Sequence, residues 1–343
     1  MKAFFRSTLI LAVCVAGGAL APRASAQQYT IKFATLATEG STWMNVMRDY
    51  DAAIRKESGG RLGFKIYAGG VQGEDKDVMR KIRLGQLHSA GMTGVGVGEI
   101  SSKLRIMDAP FLFRNYAEVD NFTQTFGEEL DKEFIKNDFV LLGWAEVGFV
   151  YVLTNTPVRG VEDMHGVKMW SWEGDAIADA AFRALGISSI PLSVTDVLTS
   201  LQTGLINGAY TSPLAAVALQ WNTRVKYMMN VPLADASGAV VVSKKKFDTL
   251  PPDLQEILVR NGKKYMTILT QKSREENAAA IQTMKRNGVQ IIEVNDAKKL
   301  ADFAATGKKA RQSLVPKLFD QDFLNRVEKS VADFRAAHPE SSK

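Results

Sequence analysis

The chain has 343 residues, 46% of them hydrophobic, and carries 43 Lys and Arg against 37 Asp and Glu for a formal net charge of +6. That length and apolar fraction, with no long polar tract, predict one large or two medium globular domains with real cores. One cysteine and three histidines argue against a disulfide framework and against a histidine-rich metal site.

In chain order, Lys2 and Arg6 precede an apolar run from Leu9 to Leu20, and Ala24-Ser25-Ala26 supplies a small-residue cleavage pattern. Residues 1–26 are therefore expected to be a secretory signal cut after Ala26, because the run is shorter than the roughly 20 residues that cross a bilayer. Cys14 lies inside it, and Val13 occupies the small-residue place of a lipoprotein box. The mature chain is expected to be exported to the periplasm, without cysteine and held by its core alone. Losing Lys2, Arg6 and Arg23 lowers the charge from +6 to +3. Lys244-Lys245-Lys246 is then the only tight basic run, so no nucleic-acid partner is expected.

Tyr29–Ala34 alternates as a strand, and Ser41 caps an amphipathic run through Trp43, Met47, Tyr50 and Ile54 that stops at Gly59-Gly60. A strand over 62–67, a helix over about 74–84 and a short strand over 88–92 repeat the unit. The alternation returns with a strand over 167–170, a helix over 175–185, a short strand at Ser189-Ile190, a helix over 195–201 and a strand over 205–210. Alternating strands and helices predict a mostly parallel sheet in an α/β fold. Phe139–Trp144 and Phe149–Asn155 read as long β runs that carry the chain between two such units. From Pro251 the chain reads as helical, over 253–285 and again over 295–337.

Familiar catalytic patterns are missing. Gly94-Val95-Gly96-Val97-Gly98 has the wrong spacing for a dinucleotide fingerprint and reads as a tight turn or a close approach of backbone to a cleft. His88, His165 and His338 have no ligand at metal spacing, and no G-x-S-x-G elbow exists. The residues point to no enzyme, and no cofactor or metal is expected.

Four phrases together carry a resemblance: Gly73-Glu74-Asp75, Asp108-Ala109-Pro110-Phe111-Leu112-Phe113, Leu201-Gln202-Thr203-Gly204-Leu205-Ile206-Asn207-Gly208, and Lys246-Phe247 with Leu250-Pro251-Pro252-Asp253-Leu254-Gln255. In this order they resemble the DctP-type solute receptors of tripartite ATP-independent periplasmic (TRAP) transporters. The resemblance implies a two-lobed α/β periplasmic binding fold with a long lobe-spanning helix and a helical C-terminus. It also implies a small-molecule ligand held between closing lobes, delivery to a small and a large membrane subunit, and a monomeric receptor. The expected division is lobe I over 27–148 with about 235–255 returning to it, lobe II over 149–234, and the spanning and C-terminal helices over 256–343.

Members of that family usually carry an arginine at the end of a G-x-K-x-R phrase, where its planar fork clamps a carboxylate. Here Gly166-Val167-Lys168-Met169-Trp170 puts Trp170 in that place, and Val150 stands where a second arginine often follows Gly-Phe. Ala209-Tyr210-Thr211 replaces a polar Gln-Glu-Asn. A buried carboxylate without a cationic partner is costly, so the ligand is expected to be aromatic, apolar or neutral. Strand alternation sets Trp170 and Trp172 on one face; with Tyr151, Tyr210, Trp43 and Trp144 they would line a pocket, although Trp172 under the following helix also reads as core. Thr93, Gly94 and Thr211 would orient the ligand. A variant places an aromatic cage round a cation, with Glu39, Glu74, Glu146 or Glu173 as counter-charge. The alternative is a carrier of lipid- or sterol-like cargo on the same fold without TRAP uptake.

Overall fold

Residues 28–339 are described by a computed structural model; the leader, Cys14 and the expected cut after Ala26 lie outside the described residues. Strand β1 (Tyr29–Thr35) buries Ile31 and Phe33, as period-2 alternation requires. Ser41 caps helix α1 (Thr42–Glu57), its hydroxyl accepting from the Met44 amide at 3.3 Å. The buried residues Met44, Met47, Tyr50 and Ile54 recur at the helical period. Strand β2 (Leu62–Tyr67), helix α2 (Asp75–Arg83) and strand β3 (Ser89–Thr93) repeat the pattern, with β1 parallel to both neighbours.

The Gly94–Gly98 run forms a short helix, α3. A Cβ at Gly94 would overlap the Asp108 carboxyl, and one at Gly96 would come within 2.8 Å of the Asp75 side chain. These glycines make room for two buried carboxyl groups.

Helix α4 (Tyr116–Lys136) leads to β4 (Phe139–Trp144). The second lobe then takes β5 (Gly148–Thr154), β6 (Lys168–Trp172), helix α5 (Ala176–Leu185), β7 (Ser188–Leu192), helix α6 (Val197–Thr203), β8 (Gly208–Thr211), helix α7 (Pro213–Ala218), β9 (Tyr227–Met229) and β10 (Ala234–Ala236). Strand β11 (Gly238–Ser243) returns to the first sheet, antiparallel between β3 and β4. After the short helix α8 (Lys244–Phe247) and helix α9 (Pro252–Arg286), strand β12 (Gln290–Ile292) joins β9. The sheet orders are β2-β1-β3-β11-β4 and β12-β9-β5-β8-β6-β7, with β10 beside β5. Two α/β lobes with strands from distant stretches of chain are the architecture.

The run 149–155, expected to bridge the lobes, is instead an interior strand of the second sheet. The passage from β4 is the shorter Ala145–Val147, and it runs beside the return passage: Ala145 N–H donates to Gly238 O at 2.8 Å and Val147 N–H to Ala236 O at 3.0 Å. Within this two-stranded connection Asp235 is 1% exposed and both its carboxyl oxygens lack a hydrogen-bond partner among the described residues. Burial, reinforced by Glu146 and Asp108, pushes its pKa well above the carboxylate range, which keeps the group neutral.

Helix α9 has 35 residues, about 52 Å of helix. Leu258, Met266 and Leu269 join the first-lobe core and Met284 a second-lobe core, so one helix spans both. Helices α10 (Ala297–Gln312) and α11 (Gln321–Ala337) pack on α5 and α4 respectively. The Phe111–Phe113 and Gly204–Asn207 parts of the phrases that carried the resemblance are scaffold. Phe111, at φ 52°, donates its amide to Leu233 O at 2.7 Å and meets Phe303 at 5.6 Å, while Leu112 and Phe113 enter the first-lobe core. Gly204 closes α6 at φ 73°, and the Asn207 side chain accepts from Lys168 N–H at 2.8 Å, tying β8 to β6.

Candidate functional site

Between the lobes lies a cavity of about 520 Å³, in the range of small-molecule sites. The first lobe supplies Thr35–Thr38, Gly40–Trp43 and the junction of β3 with α3 over Gly91–Val95; the second supplies Val150, Trp170, Trp172 and α7; α9 contributes Ser273 and Glu276. Trp43 fits because Gly91 has no Cβ, which would overlap the indole.

Eight of the expected residues line the cavity: Trp43, Thr93, Gly94 and Val150, and from the far wall Trp170, Trp172, Tyr210 and Thr211. The aromatic wall is ordered by its own contacts. Trp170 stacks on Tyr210 at 4.9 Å, meets Trp221 edge-on at 5.2 Å and lies 5.8 Å from Trp172. It is only 2% exposed, and its indole N–H donates to Leu192 O at 3.0 Å. Trp170 is thus core and wall at once. Burial, with Asp175 adding to it, pushes the Tyr210 phenol well above its usual range, so it stays a neutral donor.

Glu39, Glu74, Trp144 and Tyr151 lie outside the lining. Glu39 is exposed and pairs with Arg48. Tyr151 follows Val150 on a strand, so alternation turns it to the opposite face. Trp144 donates to Asp131 at 3.0 Å and packs on Phe134. Glu74 bridges the lobes: its carboxylate accepts from the Trp172 indole at 2.7 Å and from the Val194 amide at 3.0 Å. Of the other expected counter-charges, Glu146 is taken by Arg274 at 2.6 Å, and Glu173 is exposed with its carbonyl receiving Lys76.

The charged groups that do line the cavity were not expected there from sequence, although Asp108 opens one of the phrases that carried the resemblance. Arg105 donates through Nε to Asp108 and through a terminal nitrogen to Asp175, each at 2.8 Å, and all three side chains are at most 8% exposed. Burial alone would pull the Arg105 pKa down, but the Asp175 and Asp108 carboxylates outweigh it and hold the guanidinium charged. Burial raises the Asp108 carboxyl, opposed by Arg105 and by the Ser237 amide that donates to it at 2.7 Å. Asp175 also caps α5 by accepting from Ile177 N–H at 3.0 Å. The pair Arg105–Asp175 crosses from one lobe to the other. The hints in sequence were Asp175 just ahead of the α5 run and Asp108 at the head of a family phrase. Glu276 sits at the cavity edge, where both its oxygens lie 2.6 Å from the Thr42 hydroxyl. Its only signal in sequence was the uncharged Ser273 and Asn277, one turn apart in an otherwise charged stretch of α9, and both are buried.

The sequence profile of the bacterial extracellular solute-binding proteins, family 7 (DctP), matches residues 33–317. The chain belongs to this family. Its members are periplasmic receptors for small molecules that work with TRAP membrane subunits. Among curated relatives, the DctP family chain is 24% identical over 310 residues to the 2,3-diketo-L-gulonate-binding periplasmic protein YiaO of Escherichia coli, covering 89% of this chain and 92% of that one. A TRAP solute-binding protein of Ochrobactrum anthropi, solved with its C-terminus in the ligand pocket, superposes with a TM-score of 0.81 at 23% identity, covering 92% and 98%. One from Ralstonia eutropha, solved with (S)-2-acetolactate, superposes at 0.82 with 20% identity, covering 89% and 99%. These likenesses show the two-lobed fold.

Proposed function

We propose that this receptor closes its lobes on a compact ligand with an aromatic or apolar body, not on an arginine-clamped carboxylate, and hands it to a TRAP membrane pair after export and cleavage behind Ala26. The observation that carries the reading is the state of the cavity's cation. Arg105 is the single basic side chain in the lining and is already held by two carboxylates, while the positions expected to supply guanidinium groups hold Val150 and Trp170. A carboxylate entering such a cavity would be desolvated without a free partner, at a cost of several kcal/mol. The aromatic wall supplies apolar area and stacking faces instead. A domain-closing receptor commonly binds where two lobes meet, and Arg105–Asp175 and Glu74–Trp172 are contacts that exist only when the lobes are together.

Native mass spectrometry of the exported protein should find a co-purified molecule without a carboxylate. Calorimetry with dicarboxylates, pyruvate and sialic acid should show weak binding or none. Micromolar binding of one of these acids, lost in Arg105→Gln, would make Arg105 the clamp and overturn the reading.

A further inference from the structure

We propose that Glu276 is a specificity-determining residue that receives an ammonium head group, so that the ligand is an amine on an apolar or aromatic body. The inference rests on the reading of the cavity as one without a carboxylate clamp, and adds the opposite charge preference. The cavity lining holds one guanidinium against three carboxyl groups, Asp108, Asp175 and Glu276. Asp108 and Asp175 are engaged by Arg105. Glu276 is different: among the described residues no ion pair forms to it, and its one protein donor is the Thr42 hydroxyl.

An ionised carboxylate offers about four acceptor positions, and a hydroxyl has one proton to give. Glu276 therefore keeps acceptor capacity beside a largely apolar space. Enclosing it under a neutral ligand would strip water from a charge without replacement, whereas an ammonium group provides both charge and donors. Trp43 adjoins Thr42 in sequence and also lines the cavity, and indole faces attract cations. A ligand with its ammonium at Glu276 and its apolar body toward Trp170 and Trp172 would use both walls.

Glu276 also stands at the first turn of α1, where a helix favours a carboxylate. That role predicts a change in stability with no change in ligand order, which separates the two. The test uses three probes with one phenyl body, phenethylamine, 2-phenylethanol and phenylacetate, on the mature full-length chain by calorimetry and thermal shift. Phenethylamine should bind about 10- to 100-fold more tightly than the alcohol, the range of a hydrogen bond to a charged group, and phenylacetate weakest. Glu276→Gln should erase the amine preference while Glu276→Asp keeps it, each variant being checked for folding by circular dichroism. If the alcohol equals the amine, or the order survives Glu276→Gln, the ammonium assignment fails while the aromatic cavity stands. If phenylacetate binds best, the underlying reading fails too. Failure of phenethylamine to bind or stabilise the protein also overturns the assignment.

Discussion

Asp175→Asn should separate the lobes without unfolding either. The change removes one charge from a cross-lobe pair held at 2.8 Å, with both side chains 7–8% exposed. Asn caps a helix as well as Asp, so the bond from Ile177 N–H to this side chain, and with it α5, should persist. Breaking a buried pair by removing one partner costs about 3–5 kcal/mol. Arg105 keeps Asp108 at 2.8 Å and the new amide oxygen can still accept, so about 2–3 kcal/mol is expected, a roughly 30- to 150-fold loss in the ratio of closed to open forms. The chain from Gln27 onward contains no cysteine, so Leu84→Cys and Leu205→Cys, exposed positions in the first and second lobes, can carry a fluorophore pair. Energy transfer should fall in the Asp175→Asn protein while its circular dichroism stays unchanged. The same transfer distribution with and without Asp175→Asn, under conditions where the parent is closed, would refute the argument that this pair holds the lobes together.

Glu74→Ala should shift the same readout in the same direction by about 1–3 kcal/mol, since it deletes the acceptor of the Trp172 and Val194 hydrogen bonds. Trp170→Ala should cost about 3–5 kcal/mol of folding stability in urea titration, because Trp170 is buried against Tyr210 and Trp221; Trp172→Ala, at a half-buried position, should cost less. Burial raises the Asp75 carboxyl to about 6 despite its hydrogen bonds from Thr93. A raised acid contributes stability below its unfolded pKa and loses it as pH rises through the folded value. Asp75→Asn should therefore gain on the parent between pH 4 and 6.5, by up to ~3 kcal/mol, in urea titrations at stepped pH; a difference independent of pH would be inconsistent with an Asp75 that stays protonated in the folded state up to about pH 6.

Sequence by itself determined the alternation of strands and helices over 29–92 and 139–210, because apolar period and capping residues are local, but it did not give helix α4, helix α7 or strands β9, β10, β11 and β12. Ser41 and Asp175 cap the helices they precede. It also identified the family, through phrases part of whose work is structural, in the Phe111–Phe113 junction, the Gly204 helix end and the Asn207 tie between strands, and part at the cavity, where Asp108 holds Arg105. Alternation correctly set Trp170 and Trp172 on one face, and the same rule, applied to neighbours Val150 and Tyr151, would have separated them. Tertiary structure alone decided the charges of the cavity. Arg105 meets Asp175 across 70 residues of chain and Thr42 meets Glu276 across 234. Pairing of that kind leaves no period, since any carboxylate brought near by the fold can neutralise a guanidinium or remain free. Glu74 and Glu146, read as counter-charges for a ligand, were consumed by Trp172, Val194 and Arg274 for the same reason. Which charges stay unpaired is a property of the folded surface, and it is the property that selects a ligand.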